Sequence, residues 1–195
     1  TFNNPYRTIK IQGFNIKSNG IKNGIGIRTE QRAYTEIDSV FVENFETALS
    51  TYYGYYLVRN SIFNKNRIYS WNDAGDADKT PISQYVTVLN TSNAVNLAGE
   101  NIVNKFYNSI FVNDSNYKHE SNIESLFQGP RVFLYDVIID KAYTPGSGSR
   151  ILLVKNAQEL FFNDLDKSDF SLRNYSPAIG FGSIITGINN DIQGK

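Results

Sequence analysis

The chain has 195 residues, of which 41% are hydrophobic and 19% are charged, and its formal net charge at pH 7 is +0. This composition is typical of a folded chain rather than a disordered one, and the neutral balance argues against binding to nucleic acid or to an anionic membrane. The absence of Cys excludes disulfides, thiolate metal sites and a cysteine nucleophile, and no run of about 18 apolar residues predicts a membrane span.

The first residues carry no targeting signal that the sequence pattern would reveal. Thr1 is not preceded by Met, and no basic segment followed by an apolar segment opens the chain. The absence of Cys fits an oxidising exterior, where stray thiols are liabilities. We therefore interpret the chain as a fragment or processed piece of a larger secreted or cell-surface protein.

A short pattern recurs along the chain: an apolar residue, one intervening residue, a second mostly apolar residue and then a polar corner. The first residues of its six copies are Phe14, Val40, Ile62, Val86, Ile110 and Val137. Their intervals of 22 to 27 residues are typical of solenoids. We predict that these residues point inward and stack in successive coils. On this interpretation, Ile110→Asp buries an unpaired carboxylate between two coils and damages the adjacent coils as well.

A second strand is predicted upstream of the first in most repeats. Another large apolar residue lies three positions before four of the six copies, at Ile11, Ile37, Tyr107 and Leu134. The alternation within each segment has the period of a β-strand, and only residues 157–165 suggest a single helical turn. Asn, which recurs at positions such as Asn60 and Asn108, tolerates the left-handed conformation that tight corners need.

These patterns predict an all-β fold, a right-handed parallel β-helix of six to seven coils that forms part of a longer helix. An antiparallel sandwich is the alternative, but it would have strands every 8–12 residues joined by hairpin turns. Only Asn19-Gly20 and Asn23-Gly24 are hairpin-type dipeptides. We assign residues 1–160 to the coils and residues 161–195 to a terminal coil or capping segment that leads to a missing C-terminal anchor.

The densest aromatic cluster is the segment 52–56, and Trp71 follows it by part of a coil. Its tyrosines are Tyr52, Tyr53, Tyr55 and Tyr56. Alternation places Tyr53 and Tyr55 on one face of a strand and Tyr52 and Tyr56 on the other. Aromatic rings that point outward can stack on the apolar faces of sugar rings, so the cluster is a candidate glycan platform. The alternative is that the same rings pack inward or cover a neighbouring coil.

A polar loop after Trp71 contains three carboxylates, Asp73, Asp76 and Asp78. Calcium prefers several carboxylate and carbonyl oxygens, so this loop is a candidate calcium site. Its spacing matches neither an EF-hand loop nor the glycine-rich calcium nonapeptide of other β-helices. A solvated turn is the alternative interpretation, and no other cofactor is expected.

Few residues are candidates for catalysis. His119 is the single histidine and lies in a polar loop, which excludes metal sites that need several histidines. Lys65, Arg67 and Lys105 are possible bases of a polysaccharide lyase, although ordinary corner charges have the same appearance. The paired carboxylates Asp164 and Asp166 suggest glycosidase chemistry, but we assign them a structural role.

The last forty residues contain a motif of three pieces. Its residues are Asp169, Phe170 and Leu172, then Ser176, Pro177, Ala178, Ile179 and Gly182, and finally Asp191 and Gly194. This motif resembles the terminal segment of bacterial right-handed parallel β-helix repeat proteins that carry a choice-of-anchor C-terminal domain. Gly180 departs from the family pattern, which has Asp there. We interpret Ser-Pro-Ala-Ile as a rigid turn that leads to one last buried residue and closes the end of the solenoid.

The resemblance implies an architecture and a location more than a chemistry. It suggests a non-catalytic scaffold or adhesin of a bacterial secreted or cell-surface protein, with a glycan or another surface molecule as its partner. The alternative is the C-terminal part of a carbohydrate-active enzyme, either a polysaccharide lyase or a glycoside hydrolase. A third interpretation is a phage tail fibre or spike.

Overall fold

The computed structural model describes residues 7–19, 24–30, 33–52, 54–73, 80–97, 103–117, 127–128, 132–141 and 149–185. For residues 71–73, 94–97 and 127–128 it describes the backbone alone. Within these residues the chain is almost entirely β-structure, and its single helical element is the 3-10 turn η1 (Ala157–Leu160). None of the described helical structure is long and apolar enough to cross a membrane.

Three parallel sheets, here called A, B and C, form the walls of a β-helix, and strands are numbered along the chain. Sheet A contains β1 (Arg7–Gln12), β4 (Ala33–Asp38), β7 (Tyr55–Arg59), β10 (Ile82–Gln84), β13 (Asn104–Tyr107) and β16 (Val132–Tyr135). Sheet B contains β2 (Asn15–Lys17), β5 (Phe41–Glu43), β8 (Ile62–Asn64), β11 (Thr87–Leu89), β14 (Ile110–Val112), β17 (Val137–Ile139) and β18 (Ile151–Leu153). Sheet C contains β3 (Ile25–Glu30), β6 (Thr47–Tyr52), β9 (Ile68–Asp73), β12 (Asn93–Leu97) and β15 (Phe127–Gln128).

The predicted all-β parallel β-helix is confirmed, because each strand from β4 to β17 pairs in parallel with the strand three positions earlier in the chain. The number of complete coils is smaller than the six to seven predicted. Among the described residues, four consecutive coils place a strand of at least three residues in all three sheets. Later coils continue sheets A and B, while the sheet C strand shortens to Phe127–Gln128.

The corner between sheets A and B contains one residue in the left-handed conformation. In successive coils this residue is Ser39, Asn60, Tyr85, Asn108 and Asp136, with φ between 48° and 56°. Asn adopts this conformation more readily than most residues, which explains part of its frequency in the sequence. Gly13, with φ of 71°, takes the same place in the first coil. Sheets A and B are therefore joined by a short corner in each of these coils.

The core is a set of inward columns in which each coil stacks on the next. On sheet B the inward column consists of Ile16, Val42, Phe63, Val88, Phe111 and Ile139. Tyr69 from sheet C meets Phe63 edge to face, with ring centroids 4.8 Å apart, and Phe106 from sheet A meets Phe111 in the same way at 5.0 Å. Such edge-to-face contacts fix the rings more firmly than area burial alone.

Two tyrosine hydroxyls lie inside this core and find partners there. The Tyr56 hydroxyl lies 2.7 Å from Ser70 Oγ and donates to Asn104 Oδ1 at 3.0 Å, and the Tyr69 hydroxyl lies 2.9 Å from Ser83 Oγ. Burial raises the pKa of both tyrosines well above its ordinary value of 10.0. The interior is therefore mixed, with buried polar pairs that join sheet A to sheet C.

The prediction that six pattern residues form one inward stack is wrong for three of them. Val40, Val86 and Val137 are buried, but Phe14 is 59% exposed in the first coil. Ile62 and Ile110 are half-buried and point to the outer face of sheet B. Each lies one residue after the position that is equivalent to Val40 and Val86. In their coils the corner position is occupied by Ser61 and Ser109, whose hydroxyls accept hydrogen bonds from the amides of Val40 and Val86. Apolar residues alone therefore mark this column only in alternate coils.

After the last coil the chain turns back along the outside of sheet B. η1 leads into an antiparallel hairpin of β19 (Phe162–Asp164) and β20 (Asp169–Leu172), and a series of turns follows to residue 185. We call residues 162–184 the C-terminal strap. A second core cluster forms beneath it, in which Leu160 and Phe162 pack with Leu89, Val112 and Ile138. The strap thus covers the flank of the solenoid.

Candidate functional site

A groove runs along the outer face of sheet B, between that face and the C-terminal strap. The outward residues of five successive strands form its floor: Phe41, Ile62, Thr87, Ile110 and Ile138. With about 4.8 Å between neighbouring strands, this row extends about 19 Å along the solenoid. Strand alternation explains the position, because the next residue along each strand points into the core.

The hairpin of the strap forms one wall of the groove. The ring of Phe170 stacks on that of Phe41 with centroids 5.8 Å apart, and Leu172 lines the wall farther along. Asp169 accepts hydrogen bonds from the amide and the hydroxyl of Ser171. The carboxylate of this wall is therefore engaged in holding the hairpin.

The opposite wall contains the left-handed corner residues Tyr85 and Asn108, onto which the end of the strap is docked. The Asn108 amide group donates to the Ser183 carbonyl at 2.6 Å and accepts from the Ser183 amide at 2.9 Å. The Tyr85 hydroxyl donates to the same carbonyl at 3.3 Å. A Cβ atom on Gly182 would lie 2.9 Å from Asn108 Oδ1, so glycine permits this close approach. The strap is thus attached by a pairing that resembles a β-ladder.

Arg150 lies beside the groove and holds two residues of its lining, Asp136 and Phe181. Arg150 contacts the carboxylate of Asp136 and the carbonyl of Phe181, and its guanidinium lies 4.8 Å from the centroid of the Phe181 ring. This arrangement combines a charge-assisted hydrogen bond with a cation–π contact. The Asp136 carboxylate is therefore paired, like that of Asp169.

The groove has the size and chemistry of a binding site. Its volume is about 1010 Å³, at the upper end of the range of small-molecule and cofactor sites. The floor is apolar except for Thr87, whose hydroxyl has no hydrogen-bond partner among the described residues. Asn60 and Tyr85 add polar groups at the rim. An apolar floor with a few polar groups at its rim suits a ligand with one apolar and one hydroxylated side.

The described tyrosines of the segment 52–56 lie on different surfaces. Tyr52 ends a strand of sheet C and is 39% exposed, whereas Tyr55 lies on the outer face of sheet A and stacks on Tyr34 at 4.6 Å. Tyr56 is 1% exposed and bonded inside the core, so its place in an outward platform is corrected. Tyr53 and the side chain of Trp71 lie outside the described residues.

The predicted calcium loop falls largely outside the described part of the chain. Asp76 and Asp78 are not described, and Asp73 is described only as the backbone end of β9. Among the described residues, no three His, Cys, Asp or Glu side chains lie together in a way that would hold a metal ion. The calcium site therefore stays a prediction.

The candidate catalytic residues lie on separate surfaces. His119 is not described; Lys65 occupies a left-handed corner 4.0 Å from Glu43, Arg67 pairs with Glu46 at 3.2 Å, and Lys105 lies on sheet A. None of the three cations lines the groove. Hydrogen bonding from Lys167 lowers the pKa of Asp164, and the two side chains lie 2.9 Å apart. Asp164 is therefore held in an exposed turn.

The residues of the C-terminal motif have structural positions in the strap. Phe170, Leu172 and Ala178 pack toward the second core cluster, and Ser176 is buried, with its hydroxyl accepting from the Ala178 amide at 3.2 Å. Ile179 is 54% exposed, so the expected last buried residue is not there. The turn crosses the flank of sheet B instead of closing the core. Asp191 and Gly194 lie outside the described residues.

Sequence reasoning missed the groove, although one signal was present. Ile62 and Ile110 were assigned to the interior, but each is followed at once by a larger residue, Phe63 or Phe111. Two large apolar neighbours in a three-residue strand must point to opposite faces, so one of them requires a cover on the outside. The apolar residues of the strap supply that cover.

Comparison of the chain with protein-family models, with curated proteins and with solved structures gave no match.

Proposed function

We propose that the chain is a non-catalytic, glycan-binding segment of a bacterial secreted or cell-surface β-helix protein, where it serves as a scaffold or adhesin. The groove on sheet B is the proposed glycan site. The observation that carries the proposal is the combination of an elongated apolar floor with hydroxyl and amide groups at its rim.

The shape and chemistry of the groove favour a sugar chain over a wholly apolar ligand. Pyranose rings have apolar faces that pack on aromatic and aliphatic side chains, and their hydroxyls need polar partners at the edges. Phe41 and Ile110 provide the first kind of contact, and Asn60 and Tyr85 at the rim provide the second. A floor about 19 Å long suits a linear oligosaccharide that lies along the solenoid.

The carboxylates of the groove support a binding role rather than hydrolysis. A glycosidase needs two carboxyl groups that face the scissile bond and exchange protons with it. Asp136 is held by Arg150, and Asp169 by Ser171, so each lining carboxylate already has a structural partner. The resemblance of the C-terminal motif to anchored β-helix proteins supports the surface location.

The proposal is tested by filling the groove from its floor. Thr87 lies between Ile62 and Ile110, and Thr87→Phe places a ring in the groove while keeping a residue that strands accept. Binding of neutral oligosaccharides, first found on a glycan array and then measured by calorimetry, should weaken about tenfold or more, which is about 1.4 kcal/mol. Thr87→Ser is the matched control, since it keeps the hydroxyl and leaves the groove open.

Two outcomes would contradict the proposal. Equal binding by the parent and Thr87→Phe would remove the groove as the site. Release of new reducing ends or unsaturated ends from polysaccharides by the chain would favour the enzyme alternative instead.

A further inference from the structure

A second surface on the molecule combines aromatic rings with a cation that has no ion-pair partner among the described residues. It lies on the outer face of sheet A and consists of Lys105 and Tyr107 on β13 with Phe133 and Tyr135 on β16. All four side chains are half-buried and alternate with inward residues such as Phe106 and Leu134. We call these four residues the sheet A patch.

The rings of the sheet A patch have an ordered arrangement. Tyr107 and Tyr135 stack with centroids 4.7 Å apart and an angle of 12° between their planes. Phe133 lies beside Tyr135, with centroids 6.5 Å apart and planes inclined by only 8°. Stacking uses one face of Tyr135, and β16 is the outermost strand of sheet A among the described residues. Phe133 and Tyr135 are both partly exposed, and their ring planes are nearly parallel.

Lys105 differs from the other cations on this face of sheet A. Lys10 pairs with Glu36 at 3.2 Å, and Arg59 lies 4.0 Å from Asp38. The cross-strand neighbours of Lys105 are Ile82 and Phe133, and no described carboxylate lies within ion-pair distance of it. The hydroxyls of Tyr107 and Tyr135 likewise have no hydrogen-bond partner in the described part of the chain.

We propose that the sheet A patch is a second binding site, which takes a pyranoside carrying an anionic group. The apolar face of the sugar packs on Phe133 and Tyr135, and the carboxylate or sulfate meets the Lys105 ammonium. This inference extends the proposed glycan-binding function but uses other residues, so either site can exist without the other. It also gives the two flanks different preferences, neutral sugars on sheet B and anionic sugars on sheet A.

The test compares three disaccharides that share one glycosidic linkage and differ in charge: cellobiose, cellobiouronic acid, and cellobiose carrying a 6-sulfate. Lys105→Gln removes the charge and keeps most of the stem, so it should weaken binding of the anionic sugars about fivefold while leaving cellobiose unchanged. Phe133→Leu keeps an apolar residue but removes the flat ring, and it should weaken binding of all three sugars at this patch. The sulfate and carboxylate arms show which anion is preferred.

Matched controls come from the other tyrosine stack of the same sheet. Tyr34→Leu removes a ring that stacks on Tyr55, and Lys10→Gln removes a cation whose charge is already neutralised by Glu36. Both variants should leave the binding of anionic sugars unchanged. Circular dichroism and thermal melts of each variant establish that it is folded. The inference is overturned if Lys105→Gln binds all three sugars like the parent, or if Lys10→Gln reduces anion binding equally.

Failure of this inference is separable from failure of the groove. If Thr87→Phe reduces the binding of neutral oligosaccharides and Lys105→Gln changes nothing, the sheet A patch is not a site, and the proposed function stands. If Lys105→Gln removes the anion preference and Thr87→Phe changes nothing, the groove fails and the sheet A patch stands.

Discussion

Phe111 and Ile110 are neighbours in one short strand of sheet B, but they belong to different parts of the molecule. Phe111 is 1% exposed and contacts rings from sheets A and C, whereas Ile110 is half-buried and lines the groove beneath the C-terminal strap. The same apolar chemistry therefore supports the fold on one face and a candidate site on the other. The difference predicts that inner substitutions affect mainly stability and outer ones mainly binding.

The largest effect is expected from Phe111→Ala. Removal of a buried ring leaves a cavity among Tyr69 and Phe106, and such substitutions cost about 3–5 kcal/mol. The matched outer substitution, Ile110→Ala, should cost only about 1–2 kcal/mol because its side chain is partly solvated. Urea unfolding followed by circular dichroism measures both. Equal costs would mean that the two faces of sheet B do not differ as described.

A smaller effect is expected at the corner between the two faces. Ser109→Ala removes the hydroxyl that accepts from the Val86 amide at 3.3 Å and leaves this buried donor without a partner. The expected loss of stability is about 1–3 kcal/mol. Ser115→Ala, at an exposed position, is the control and should melt like the parent. A melting temperature unchanged in Ser109→Ala would show that water or another acceptor replaces the hydroxyl.

The smallest effect appears only at alkaline pH. Burial raises the pKa of Tyr56 and Tyr69 above the ordinary 10.0, so the folded state keeps both neutral while the unfolded state ionises them. Their contribution to stability is complete below pH 10 and is lost as the pH rises from there toward their folded pKa. Replacing Tyr56 by Phe should reduce this alkaline loss of stability. Unfolding midpoints measured at neutral pH and above pH 10 test the sign.

Much of the fold was predictable because the solenoid repeats its chemistry. The upstream strands marked by Ile11, Ile37 and Leu134 are all found in sheet A, since apolar residues recur at that position in every coil except the one that carries Ser83. The register of sheet B was less predictable. Ser61 and Ser109 occupy, in alternate coils, the position that Val40 and Val86 hold in the others. The first apolar residue of the pattern in those coils therefore comes one residue later and points to the outer face of sheet B.

The candidate site was harder to predict than the fold. The groove needs the strap to fold back onto sheet B, which depends on long-range contacts such as Asn108 with Ser183 and Phe41 with Phe170. No local pattern in a single sequence specifies such pairs. The predicted tyrosine platform failed for a local reason. Tyr52 ends a strand of sheet C and Tyr55 begins a strand of sheet A, so the two belong to different sheets, and strand alternation turns Tyr56 inward.

The most direct test of the account is methyl NMR of the isoleucines during titration with a neutral oligosaccharide selected on the glycan array. Ile62, Ile110 and Ile138 line the groove, whereas Ile37 and Ile139 point into the core. We predict shifts in the methyl signals of the three groove residues, saturating with the calorimetric affinity, and none in those of the two core residues. Binding without any shift at Ile62, Ile110 or Ile138 would contradict the assignment of the groove as the glycan site.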